Sequence, residues 1–297
     1  MCKLKSAIIL KDKIFMPDYD SHSKMLEELG ITDDYINASK VFVRAELSPE
    51  NEDIFSDIDG WKFSVDQDIT PEWFDEKDCT ERMRKAVKEW AKTHIFIGQN
   101  GLKISHGENI FIKDCEDVDI CGNSTVESIY GNATVESIYG NATVKNIYDR
   151  ATVESICDNA TVESICGNAK VKNICGDATV EYIYGNATVK YICGDATVKY
   201  IRGYATVESI CGNSTVESIC GNATVKNIYD RATVKNICGY AKVERICGNA
   251  TVISYSYIKW NNSTSMVIDD NATFKDCYSR TIYQAGGWEF VKVKRGK

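Results

Sequence analysis

The sequence predicts a mainly β protein: a parallel β-solenoid preceded by a small α+β domain and closed by a C-terminal cap. Three observations carry this. A nine-residue sentence recurs fifteen times from Gly122 to about Ser256 without a slip, as in Gly131-Asn-Ala-Thr-Val-Glu-Ser-Ile-Tyr139. Its third position is Ala or Ser, its fifth is always Val, and its eighth is Ile in fourteen copies, with Tyr255 in the last. Its first position is Gly or Asp and its second is usually Asn, Asp or Arg, which is turn chemistry. A fixed period of nine marks a stacked array. Nine residues cannot bury their own apolar face, so neighbouring copies must stack as rungs about 4.8 Å apart. The Val and Ile rows drift around a helix of 3.6 residues per turn, which excludes the helical reading.

The charge in the sixth position selects the coil length. With two copies per coil, nine of the twelve neighbouring sixth positions are opposite in sign, as in Glu127–Lys145 and Glu154–Lys172. With the alternative of three copies, a 27-residue coil, Lys145, Lys172, Lys199 and Lys226 would form one like-charged column. Facing like charges destabilise a sheet and facing opposite charges contribute roughly 0.2–1 kcal/mol per pair. The 18-residue coil follows, although the pairs in positions six and seven also keep a 27-residue rhythm of Glu-Ser, Glu-Ser, Lys-Asn. The regular part would form a rod roughly 36 Å long, from 7.5 coils at about 4.8 Å each.

Four segments are expected: 1–94 as the small α+β domain, 95–121 as irregular opening coils, 122–256 as the nonapeptide solenoid and 257–297 as the cap. In the first, Ser6–Leu10 and Lys13–Met16 read as a hairpin, and Asp20 or Ser21 can cap a helix that runs through Leu29 and stops at Gly30. Lys40–Leu47 and Trp61–Val65 read as strands. Thr80 to His94 reads as an amphipathic helix capped by Thr80, with Met83, Ala86, Val87 and Trp90 on one face. Short strands at 95–97, 102–104, 109–112 and 118–121 lead into the array, and the N-terminal domain is expected to cover that end against edge pairing. Beyond it the repeat decays near Trp260, revives out of register at Asp270–Phe274, and ends in an aromatic segment around Trp288 and a basic tail from Lys292 to Lys297.

The chain of 297 residues has a formal net charge of -8. Residues 1–121 hold 26 acidic and 16 basic side chains, against 17 and 19 in the remainder. This distribution excludes a basic nucleic-acid surface, and nearly neutral solenoid faces do not imitate DNA. Eight of the 13 cysteines occupy the ninth position, where Tyr and Arg202 also occur, so that position is not a fixed bridge. No apolar run is long enough for a secretory signal or a membrane span. The cysteines therefore read as reduced thiols of a cytoplasmic protein. Cys157, Cys175, Cys193 and Cys211 would stack in one column, close enough for a pair to oxidise, but without the paired spacing or the histidine of a structural zinc site.

The opening Met1–Lys5 with Asp18–Ser21, the stretch Phe42-Val-Arg-Ala-Glu-Leu47, Trp61–Asp68, Pro71-Glu-Trp73, Val87–Ala91 and the Gly-Asn-Ala-Thr-Val array together resemble an uncharacterised family encoded by bacteriophages, prophages and gut bacteria. The resemblance spans nearly the whole chain. It implies a phage or prophage origin and carries no activity onto these residues.

No constellation points to catalysis. The three histidines, His22, His94 and His106, pair with no nucleophile at a recognisable spacing. Asp57-Ile-Asp59 and Asp66-Gln-Asp68 lack the closing Glu of a calcium loop and read as acidic turns. The chain is expected to be no enzyme and to hold neither metal nor cofactor. The deviation inside the array is aromatic: the seventh position is Ser or Asn almost everywhere, yet Tyr182, Tyr191 and Tyr200 fill it in three consecutive copies, with Tyr184, Arg202 and Tyr204 beside them. Exposed Tyr with Arg is the composition of a protein-binding hot spot, and cross-strand tyrosines also stabilise a sheet by stacking. A single Thr row flanked by charges argues against ice binding.

The expected function is a non-enzymatic scaffold that binds a host protein, as an inhibitor of a defence or regulatory factor, with no nucleic-acid or membrane partner. The alternatives are a structural protein that assembles into homo-oligomers through the solenoid ends, and a protein that sequesters a small ligand such as a nucleotide.

Overall fold

The computed structural model describes residues 4–255, 267–277, 281–286 and 289–290. Two compact units result, Met1–Phe96 and Ile97–Lys297.

In the first unit an antiparallel sheet takes the order β2-β1-β3-β4, from β1 (Lys5–Leu10), β2 (Ile14–Phe15), β3 (Phe42–Ser48) and β4 (Lys62–Val65). The hairpin is in place, with Ile8 facing Phe15 and Ile9 facing Ile14. Helix α1 (His22–Glu28) is capped by Ser21, and Gly30 follows it with φ of 67°. Ile8, Met25, Leu26 and Phe42 form the core between this helix and the sheet. A short helix α2 (Tyr35–Ala38), capped by Asp34, had no counterpart in the sequence pattern. Helix α3 (Glu76–His94) begins four residues before Thr80: Asp75 is its cap, accepting from Asp78 N at 2.8 Å. Thr80 sits inside the helix, its hydroxyl donating to Glu76 O at 2.6 Å. Lys5 is nearly buried, at 2 % exposure, because its ammonium is held by Pro17 O (3.0 Å) and Asp20 (3.2 Å) and lies over the Trp90 ring.

The second unit is a parallel β-solenoid of about 18 residues per turn. Strands β5 (Ile95–Ile97), β6 (Lys103–Ile104), β7 (Ile110–Lys113) and β8 (Val118–Ile120) open it. From Thr125 onward each nonapeptide gives one strand, and alternate strands belong to opposite sheets, of ten and thirteen strands among the described residues. Register settles the coil length: Thr134 pairs with Thr152, Val135 with Val153 and Ile138 with Ile156, the same step that separates Glu154 from Lys172 on the next pair of rungs.

From Ala133 to Ala232 the Ala, Val and Ile rows are exposed by 2 % at most. Ser124 and Ser214, which replace Ala in the third position, are equally buried, and their hydroxyls donate to Cys121 O (2.8 Å) and Cys211 O (2.7 Å). The corners repeat as strictly as the strands. The third-position N–H turns back onto the ninth-position carbonyl, as in Ala160 to Cys157 at 3.2 Å. The first-position residue between them adopts positive φ, 67° at Gly194 and 66° at Gly212. A Cβ on Gly212 would lie 2.8 Å from Gly194 N one rung below, which is why glycine dominates there.

At the C-terminal end the pattern changes as the repeat decays. Tyr255, in the position of the inward Ile, is 65 % exposed, and the preceding Ser254 is buried in its stead. The out-of-register revival is a further rung: Thr273–Asp276 pairs with Thr251–Ser254, with Phe274 on Val252, so this last coil is four residues longer than the regular ones. Thr281–Gly286 then pairs antiparallel, ending the parallel order. Trp260, Trp288 and the basic tail from Lys292 lie outside the described residues.

Candidate interaction surface

Between the inward Val and Ile of each strand lie two consecutive positions, six and seven, of which Glu127, Ser128, Ser164 and Ser209 are buried and the others partly or fully exposed. Position six carries the charges. Five ion pairs bridge adjacent rungs there: Glu127–Lys145 (2.5 Å), Glu154–Lys172 (2.6 Å), Glu181–Lys199 (3.6 Å), Glu208–Lys226 (3.5 Å) and Glu217–Lys235 (3.6 Å). In every one the Glu belongs to the earlier rung, so each Lys reaches back along the axis rather than forward.

Position seven holds the aromatic deviation. Strands Thr179–Ile183 and Thr197–Ile201 are neighbours in the thirteen-stranded sheet and set Tyr182 opposite Tyr200. Their rings stack at 5.2 Å between centroids with 13° between planes. Arg202 lies over two rings at once, 4.6 Å from the centre of Tyr182 and 5.2 Å from that of Tyr184. Arg202 takes the ninth position one rung above Tyr184, so the corner itself brings the guanidinium and the phenol together. Such a cation over an aromatic face contributes roughly 0.5–1 kcal/mol at an exposed site. Tyr200 is 37 % exposed, Arg202 is exposed, and Tyr204, in the corner that follows, is 67 % exposed.

Tyr191 stands apart. Its strand, Thr188–Ile192, belongs to the ten-stranded sheet, where its neighbours are Asn173 and Ser209 and the ammonium of Lys190 lies 5.2 Å from its ring. The inward Val and Ile rows separate it from the other five residues. Two rungs beyond Tyr204, in the same corner position, Tyr240 is 61 % exposed. Its signal was in the sequence, as the one other Tyr to replace Asn or Arg in the second position of a repeat.

The candidate ligand groups of the first unit have structural tasks. Asp57 caps the turn Ile58–Gly60, and Lys88, hydrogen-bonded to Asp59 at 2.6 Å, holds that carboxyl below the usual carboxylate range. His22, Glu46 and Asp66 gather ligand atoms within 4.8 Å. Both nitrogens of His22 already face acceptors, Asp66 Oδ2 and Ala45 O, each at 3.2 Å. Gln67, between the two carboxylates of its motif, braces the loop through Ala38 O, Phe42 O and Arg44 N. His94 meets Asp18 at 3.1 Å and stacks on Trp90. An open cleft of about 590 Å³ is lined by Asp33, Asp34, Arg44, Asp66 and Asp68 among others. Among the described residues no helix is long and apolar enough to cross a membrane.

No family model matches the chain, and no curated protein or solved structure matches it either, so the reading of this surface rests on its own geometry.

Proposed function

We propose that the chain is a non-enzymatic, cytoplasmic repeat scaffold of phage or prophage origin that binds a host protein through Tyr182, Tyr184, Tyr200, Arg202 and Tyr204. Inhibition of a host defence or regulatory factor is the specific form of this reading. The observation that carries it is the stacked Tyr182–Tyr200 pair with Arg202 over it, in a column that is otherwise Ser or Asn. Tyr and Arg are the residue types that concentrate binding energy in interfaces. Strands carry Tyr182 and Tyr200, and hydrogen-bonded corners carry the other three residues, so little backbone ordering is lost on association. The origin rests on the resemblance of the N-terminal motifs and the array. The non-enzymatic reading is supported by the structural engagement of His22, His94, Asp57, Asp59 and Asp66.

The test is affinity capture from a host lysate with three forms of the chain. A specific partner should be retained by the parent and by Tyr191→Ser, and lost with Tyr200→Ser/Arg202→Ser. Truncation of a hot spot costs about 2 kcal/mol or more, roughly thirtyfold in affinity. Equal retention by all three forms overturns the assignment to this face. Species much larger than one chain in size-exclusion chromatography with light scattering would instead support assembly through the solenoid ends.

A further inference from the structure

Cys157, Cys175, Cys193 and Cys211 occupy four consecutive rungs of one column at the corner that follows the ten-stranded sheet. Each backbone N–H donates to the Ile carbonyl one rung below: Cys175 to Ile156 (2.9 Å), Cys193 to Ile174 (2.8 Å) and Cys211 to Ile192 (2.8 Å). Parallel register therefore repeats the thiols at the strand spacing of about 4.8 Å. Burial raises the Cys157 and Cys193 thiols, and the neighbouring rungs add to it, Cys175 for Cys157 and both Cys175 and Cys211 for Cys193. Tyr229 follows one rung above Cys211, its N–H donating to Ile210 O at 3.0 Å. The opposite corner holds a shorter run, in which Cys220 and Cys238 stand on adjacent rungs, their N–H groups donating to Ile201 O and Ile219 O, each at 2.9 Å. Cys166 has Tyr148 and Tyr184 on the adjacent rungs instead. All twelve described cysteines are free thiols.

Where cysteines occupy adjacent rungs both ligand atoms are sulfur, which selects soft cations over hard ones, although Ser155 Oγ also lies 3.9 Å from Cys175 Sγ. A tetrahedral zinc site needs four sulfurs about one point at roughly 2.3 Å each. A straight column cannot supply that, because any point between two rungs has only two thiols near it. Two bonds of the zinc–sulfur length laid end to end span about 4.6 Å, close to the rung spacing. The geometry is that of a two-coordinate ion held from opposite sides.

We propose that thiols on adjacent rungs form two-coordinate sites for a thiophilic monovalent d10 cation, Cu(I), at Cys157–Cys175, Cys193–Cys211 and Cys220–Cys238. On binding, each ion displaces two thiol protons and becomes a bis-thiolate with one net negative charge. No electron is transferred. The number of ions held is set by how many cysteines are adjacent, not by how many the chain contains.

The fully reduced, full-length chain would be titrated with Cu(I) under anaerobic conditions against a chromophoric Cu(I) chelator. Three ions per chain are expected for the parent and for Cys166→Ser, two for Cys220→Ser, and one for Cys175→Ser/Cys193→Ser. X-ray absorption of the loaded parent should show two sulfurs per copper. Far-UV circular dichroism checks that each variant folds. Should the double variant fail to fold, Cys211→Ser replaces it, with two ions expected. No copper retained against the chelator, the same count in every variant, or three to four sulfurs per copper would each overturn the proposal.

Discussion

At the residue scale the corner explains why Asp can stand where Gly otherwise does. Asp230 has φ of 58°, a left-handed conformation that costs most residues about 1–2 kcal/mol. Its carboxylate recovers part of this by accepting from Gly212 N one rung below at 3.1 Å, and Asp158 and Asp270 do the same for Gly140 and Gly248. Asp230→Ala keeps the strained backbone and loses the acceptor, so chemical denaturation should show a loss of about 1–2 kcal/mol. Asp230→Gly loses the acceptor but not the conformational ease, and should fall within a few tenths of a kcal/mol of the parent. An alanine no worse than the glycine would remove the strain from this account. Burial raises the Cys193 thiol to about 11 from an ordinary 9.0, with the neighbouring thiols adding to the shift, and burial also pushes Cys157, Cys220 and Cys247 upward. A group whose folded value is raised binds its proton more tightly when folded, so its stabilisation is complete below about 9 and lost as pH climbs toward about 11. The midpoint of thermal unfolding should drop across that window, and drop less in Cys193→Ser.

Whole elements were legible where apolar periodicity and turn chemistry agreed, and misread where two residues competed for one role. In helix α3 both Asp75 and Thr80 can cap, and the apolar face counted from Met83 leaves the choice open. Cys79 decides it: it is buried at 1 % exposure, one turn before Met83, so the helix must already be running there. Asp75→Ala should therefore cost about 1 kcal/mol in unfolding free energy. Thr80→Ala should cost clearly less, because Thr80 donates only to a carbonyl of its own preceding turn. The reverse order would restore the shorter helix. Helix α2 escaped because four residues, Tyr35–Ala38, show no period. In the solenoid, strand positions follow from the Val and Ile rows, and the separation of Tyr191 from Tyr182 and Tyr200 follows from the 18-residue coil alone. What the sequence could not supply was side-chain direction: that Arg202 bridges Tyr182 and Tyr184 at a corner, and that in all five ion pairs of the sixth position Lys takes the Glu on the rung below.

For the molecule as a whole, the array is close to one-dimensional, because each rung bonds only the rungs before and after it. The two sheets bury the same rows to the same depth, so neither side has a sequence of its own. Nine residues are then the unit of equivalence, although eighteen make the coil. Deleting residues 212–229 removes one coil and leaves every later strand in its own sheet. Deleting residues 212–220 sends every later strand to the opposite sheet, where it meets the same Ala, Val and Ile rows. Both deletions should fold, with parent-like far-UV circular dichroism and a lowered unfolding midpoint. The nonapeptide deletion also sets Lys226 against Lys199, a like-charged pair that should cost no more than about 1 kcal/mol. Deleting residues 212–216 instead breaks the period, removes one Val from its row, and leaves the corner without its turn residues, so cooperative unfolding should be lost or the midpoint should fall far below that of either longer deletion. If the eighteen-residue deletion folds and the nine-residue deletion does not, the two sheets are not interchangeable and the coil, rather than the nonapeptide, is the unit this sequence encodes.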